Sequence, residues 1–151
     1  MQISKKHKAE WSRSVARKAR KYGLDTKAKG DIAEQAVILQ LLKNGWGVSK
    51  PIGDRLSYDL IVDVEGKLCK IQVKSAWFRK SSGNFHCETR RTKTNRRVML
   101  RSTYNSTDFD FAVVYASEPN VFWVLPVKDF ISWKGEISFA LESNKQRRLR
   151  S

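Results

Sequence analysis

The stretch YDLIVDVEGKLCKIQVK, Tyr58 to Lys74, constrains the fold more than any other part of the chain. Two short apolar runs flank Glu65-Gly66, which reads as a two-residue hairpin loop. With that loop Val64 faces Lys67, and the register brings Asp59 directly opposite Gln72. Side chains opposite one another on antiparallel strands have Cβ atoms roughly 4.5–5.5 Å apart. Alternation puts Gln72 and Lys74 on one face, with Lys74 diagonal to Asp59. Cys69, Ile71 and Val73 take the other, buried face. An acid, an amide and an ammonium therefore converge at the end of the hairpin. A slip of one residue in register separates them.

A helix supplies a fourth group. Thr26 or Asp25 is placed to cap a helix that runs to the stop signal Asn44-Gly45. Ile32, Ala33, Ala36, Val37, Ile38, Leu39, Leu41 and Leu42 make it apolar over most of its circumference, so it is expected to be buried. Glu34 lies between Leu41 and Ile38 on the helical wheel. A carboxylate in an apolar stripe is costly unless something positive pairs with it. If that stripe packs on the sheet, Glu34 points toward the hairpin. Two carboxylates and an amide oxygen are hard ligands suited to Mg²⁺. Such an ion polarises a phosphoryl oxygen and lowers the pKa of a bound water. Lys74 would orient that water or stabilise the growing charge on the phosphate. Glu34, Asp59, Gln72 and Lys74 are thus the candidate catalytic residues, and the first three the candidate metal ligands. Taken singly, each has an ordinary reading as a solvated charge, a turn residue or a strand-edge group. Lys29 and Asp31 read as helix-start charges, and Asp108 and Asp110 as the beginning of a strand.

Around this core the sequence reads as one domain with basic appendages. Lys5 to Lys21 forms a basic helix with Trp11 and Val15 as its strong apolar groups. Trp46 to Ser49 is a short strand, Pro51 to Arg55 a loop, and Ser81 to Asn84 a turn. Phe109 to Ala116 and Val121 to Leu125 are strong strands, Asp129 to Trp133 a helical turn, and Ile137 to Leu141 a last strand. The expected boundaries are a basic extension over 1–25, a catalytic domain over 26–141 and a basic tail over 142–151. A helix, three strands and further α/β pieces indicate an α/β fold with a mixed sheet and helices packed on it.

Charge narrows the partners. The 151 residues carry a net charge of +15, concentrated at 1–29, 79–101 and 142–151 around a neutral to acidic core. That distribution suits a polyanion, where each neutralised phosphate releases counterions. Arg79, Lys80, Arg90, Arg91, Lys93, Asn95, Arg96, Arg97 and Arg101 are the candidate DNA contacts, with Tyr104 and Asn105 beside them. Phe85 to Leu100 alternates enough to form a β-ribbon that fits a major groove. No apolar run approaches the ~20 residues of a membrane span. The basic amino terminus lacks the apolar segment of a signal peptide. Two cysteines make no disulfide framework. An intracellular location is expected, in cytoplasm, nucleoid or an organelle matrix. His86-Cys87 lacks a second pair at zinc-ligand spacing. Ser-His-Asp chemistry finds no support, because both histidines read as lying in basic, loop-like surroundings.

In order and spacing, KGDIAE (Lys29–Glu34), YDL (Tyr58–Leu60) and IQVK (Ile71–Lys74) resemble the motifs of the PD-(D/E)XK nuclease superfamily. Pro51 precedes Asp59 more loosely than an adjacent Pro-Asp would, and DFDFAVVY (Asp108–Tyr115) resembles the strand that follows the catalytic core. The nearest likeness is to small homing endonucleases of group I introns, then to archaeal Holliday-junction resolvases, over about residues 26–125. The resemblance implies a restriction-endonuclease-like αβββαβ core. It also implies Mg²⁺-dependent, site-specific hydrolysis of double-stranded DNA, with Mn²⁺ able to substitute. Glu34 and Asp59 take its metal-ligand positions and Lys74 its lysine position. Gln72 stands where most members carry Asp or Glu, which removes one negative charge. A double-strand break needs two cuts, so a homodimer or homotetramer is expected, with Val121 to Leu125 as a candidate interface. A structure-specific junction or repair nuclease, and a nucleic-acid-binding protein without catalysis, are the alternatives.

Overall fold

The computed structural model describes residues 25–94 and 98–141. The expected basic helix at Lys5–Lys21, the tail from 142 on, and Asn95, Arg96 and Arg97 lie outside the described residues, as does the side chain of Lys93. Helix α1 (Thr26–Lys43) starts at Asp25, whose carboxylate accepts the Ala28 N–H at 2.7 Å. This fills one of the four donors that a helix start leaves open. Its end is built by Gly45 at φ +80°, with Gly45 N–H bonded to the Leu42 carbonyl and Trp46 N–H to that of Leu41. That pairing closes the last turn and folds Trp46 back beside Leu41.

Five strands make the main sheet: β1 (Gly47–Ser49), β2 (Leu60–Val64), β3 (Lys67–Ser75), β8 (Phe111–Ala116) and β9 (Val121–Pro126), in the order β1-β2-β3-β8-β9. The β2–β3 hairpin has the expected register, Val64 opposite Lys67 and Leu60 opposite Ile71. Glu65 and Gly66 both have positive φ, and the Asp63 carboxylate accepts the Gly66 N–H at 2.7 Å. Only β3 and β8 run parallel in this sheet, which makes it mixed. The crossover between them runs through strands rather than the helix of an αβββαβ order. It contains β4 (Trp77–Arg79), β5 (Asn84–Glu88), β6 (Arg91–Thr94) and β7 (Met99–Ser102). After β9 come α2 (Val127–Ser132) and β10 (Glu136–Phe139). Strands β10, β5 and β4 form a second sheet, and β6 with β7 a two-stranded ribbon.

The main sheet is covered on both faces. Ala33, Val37 and Leu41 of α1 pack on Leu60, Val62, Cys69, Ile71 and Val73. On the opposite face Ala112, Val114 and Ala116 meet Phe109, Phe130, Phe85, Cys87 and Ile137. The face shared by Gln72 and Lys74 is therefore interior as well. The helix is less buried than its composition implied: Ile32, Leu39 and Leu42 are 39%, 55% and 54% exposed. The i, i+4, i+8 stripe of Ala33, Val37 and Leu41 is buried on the sheet, with Ala36 and Ile38 half-buried beside it, because among the described residues the sheet packs on one side of the helix. No helix among the described residues is long and apolar enough to cross a membrane.

Candidate active site

Hairpin and helix bring the four expected residues to one cleft of about 510 Å³, lined by Glu34, Lys50, Tyr58, Asp59, Gln72, Lys74, Arg90, Arg91 and Tyr104 among others. Asp59 N–H is bonded to the Ile71 carbonyl at 2.9 Å, which extends the hairpin register to the acid. Asp59 Oδ2 accepts from Gln72 Nε2 at 2.7 Å and from Val73 N–H at 2.8 Å. Burial still pushes its carboxyl above the ordinary value, the Val73 bond opposing this and the nearby Glu34 charge adding to it. Gln72 Nε2 also donates to the Val73 carbonyl at 3.2 Å. With two acceptors around it, that atom must be the amide nitrogen, and the amide oxygen is left to another partner.

Lys74 lies on the expected face but makes no ion pair with Asp59. Its ammonium donates to the Arg90 carbonyl at 2.9 Å and sits 5.0 Å from the centre of the Tyr104 ring. Burial lowers its pKa, and the Asp59 charge partly offsets that. Tyr104, expected as a DNA contact, is instead buried as the floor beneath Lys74, and burial raises its hydroxyl pKa. Its ring packs on Phe109 and Phe130. Asn105 is exposed and its side chain accepts from Thr107.

Glu34 faces the hairpin as its wheel position implied. Its Oε1 is fully buried, and what it meets there is the ammonium of Lys50, a residue with no place in the sequence motifs. No other donor among the described residues reaches that oxygen. A buried carboxylate oxygen that meets a cation, in one cleft with a second carboxylate and an amide side chain, is a donor set that fits a hard divalent ion. No group of three His, Cys, Asp or Glu stands together among the described residues, so Gln72 is needed to complete the set.

The basic residues divide into two groups. Lys80 and Arg101 are exposed. Arg79, by contrast, gives both terminal nitrogens to Glu136 at 2.8 Å, and Arg90 pairs with Glu88 at 2.6 Å. Arg91 Nη2 donates to the carbonyls of Asp54, Arg55 and Leu56 at 3.3, 3.0 and 2.8 Å. These three arginines tie the crossover together before any ligand arrives. The ribbon is shorter than expected, starting at Arg91, because Phe85 and Cys87 belong to the core.

His86 corrects the loop-like expectation: it is buried in β5, with Nδ1 2.8 Å from Glu136 and Nε2 2.8 Å from the Ser82 hydroxyl. With Arg79 occupying the same carboxylate, the group reads as a clasp between β5, β10 and the Ser82 turn. Cys87 beside it is buried, and burial pushes its thiol up to about 12, so it remains a thiol. Asp108 accepts from Ser57 at 2.9 Å and Asp110 from the Lys70 N–H at 2.7 Å, which makes both acids braces of the strand entry.

Comparison with known proteins bears on the family and the fold. Over 82% of its length the chain is 55% identical, with a TM-score of 0.74, to the solved structure of a bacterial homing endonuclease, I-Ssp6803I, of which it covers 84%. No curated protein matches it. Residues 24–151 match the family model described as PD-(D/E)XK endonuclease. The α1–hairpin cleft, that match and the identity to a solved relative lead to one conclusion: the chain belongs to the PD-(D/E)XK endonuclease family.

Proposed function

We propose that the protein is a site-specific, Mg²⁺-dependent endonuclease of the homing type that cuts double-stranded DNA. PD-(D/E)XK nucleases generally use divalent metal ions, and Mn²⁺ is expected to substitute here. The observation that carries the reading is Glu34 Oε1, a buried carboxylate oxygen that among the described residues meets only the Lys50 ammonium, in the cleft of Asp59, Gln72 and Lys74. Glu34, Asp59 and the Gln72 amide oxygen would hold the ion, which supplies a more acidic water and a polarised phosphoryl oxygen. Asp59 is fixed for this by its two donors on Oδ2. Lys74 spends one of its three N–H donors on the Arg90 carbonyl, leaving two for the attacking water or a phosphate oxygen. The Tyr104 floor excludes solvent beneath it and strengthens its field.

Lys80, Lys93, Asn95, Arg96, Arg97 and Arg101 are assigned to the DNA, the ribbon residues to base edges in the major groove as well as to phosphate. Two cuts per duplex call for a homodimer or homotetramer. In support, β9 lies at the sheet edge with Val124 63% exposed. Beside it an apolar groove of about 480 Å³ opens between Val37, Leu41, Trp46, Phe122 and Val124. Sedimentation of the free protein reads the state.

The test is Mg²⁺-dependent cleavage of random duplex DNA, followed by sequencing of the ends. Defined ends at one sequence are expected. Asp59→Ala and Lys74→Ala lose at least about 100-fold in cleavage and keep their DNA affinity. Lost binding with unchanged cleavage overturns the assigned roles. Cutting of four-way junctions without sequence preference identifies a resolvase instead.

A further inference from the structure

Lys50 follows β1 directly and precedes Pro51 at the cleft rim. Its side chain is 52% exposed, yet it reaches inward to Glu34 Oε1. Asp59 and Asp31 add further acidic charge around the pair. The cation thus sits where the donor set for a divalent ion converges.

We propose that Lys50 is a competitor for the metal built into the site, and so couples metal binding to DNA binding. The inference rests on the metal-site reading above and concerns which cation Glu34 holds in each state. An ammonium and a divalent ion cannot both claim one buried carboxylate oxygen, so loading the ion breaks the Lys50–Glu34 pair. The displaced ammonium, on a flexible four-carbon stem at the cleft rim, is then free to meet a phosphate. A duplex that engages it favours the metal-loaded state, and by reciprocity the metal favours the duplex. In the free protein the pair keeps the buried oxygen of Glu34 compensated.

Mn²⁺ titration by calorimetry without DNA tests this on wild type, Lys50→Met, Lys50→Arg and Glu34→Gln. Lys50→Met removes the competing charge from a half-exposed stem and leaves no core cavity. It is expected to bind Mn²⁺ roughly three- to fivefold more tightly, the scale of a partly exposed ion pair, while its DNA affinity at saturating Mn²⁺ falls. Lys50→Arg keeps the charge and stays near wild type in Mn²⁺ affinity. Mn²⁺ affinity unchanged or weakened in Lys50→Met overturns the competition. Wild-type protein that binds no Mn²⁺, or Glu34→Gln that binds it as wild type does, overturns the metal site beneath it, which is a separate failure.

Discussion

Gln72 shows how one side chain can serve two neighbours at once. Its amide hydrogens satisfy Asp59 Oδ2 and the Val73 carbonyl, so in the metal-free protein the acid is held without a second negative charge beside it. Gln72→Glu would leave Asp59 Oδ2 short of a donor and place a like charge against a carboxyl that burial already disfavours ionising. The metal-free variant should lose about 1–3 kcal/mol of stability, and Mg²⁺ should restore much of it, both read from melting with and without the ion. A variant as stable as wild type without metal would remove Gln72 from the site. The Asp59–Gln72 pairing was legible because Glu65-Gly66 fixes a register and register fixes opposition. Lys50 was not legible: a lysine between a three-residue strand and a proline follows no periodicity, and only the packing of α1 brings Glu34 to it. Tyr104 was misread because a tyrosine near basic residues resembles a contact until burial is known.

At the level of elements, the crossover from β3 to β8 departs most from its sequence reading. Alternating residues from Phe85 onward suggested one ribbon, but Phe85 and Cys87 alternate because one face of β5 lies on the aromatic core. The charged residues between them and the ribbon bind one another. Arg79 holds the Glu136 carboxyl below its ordinary value, and His86 adds to this. A carboxylate whose folded value lies below its unfolded 4.5 contributes stability that is complete above pH 4.5. That contribution is lost as pH falls through the lower folded value. Glu88, held down by Arg90, has the same sign, whereas Asp59, held up by burial, loses stability as pH rises past its unfolded value. Glu136→Gln should therefore cost up to about 1 kcal/mol at pH 7 and less as pH falls below 4. Melting curves across that window check it, and a cost that stays constant with pH would deny the ion pair its role.

Across the whole molecule, the mixed sheet followed from the hairpin and from the runs at Phe109–Ala116 and Val121–Leu125, whereas the order of its strands came only with the structure. The elements of the second covering layer were read as a helical turn at Asp129–Trp133 and a strand at Ile137–Leu141, but their packing was not, because α2 has six residues and β10 four, too few for a periodicity that marks a buried face. That layer matters for the site. Strand β3 is gripped from one side by α1 and its partners and, through the parallel β8, lies under an aromatic cluster on the other. For β3 to slide along β2 or β8, both interiors would have to open together. Amide hydrogens of Ile71 to Lys74 should then exchange with solvent only through global unfolding, at the full stability of the domain. Those of residues 52–55, in the loop after Pro51, should exchange at far lower cost. Loss of the loops to heat or protease would leave acid, amide and lysine still in register: a nuclease that has stopped holding DNA before it has lost the means to cut it.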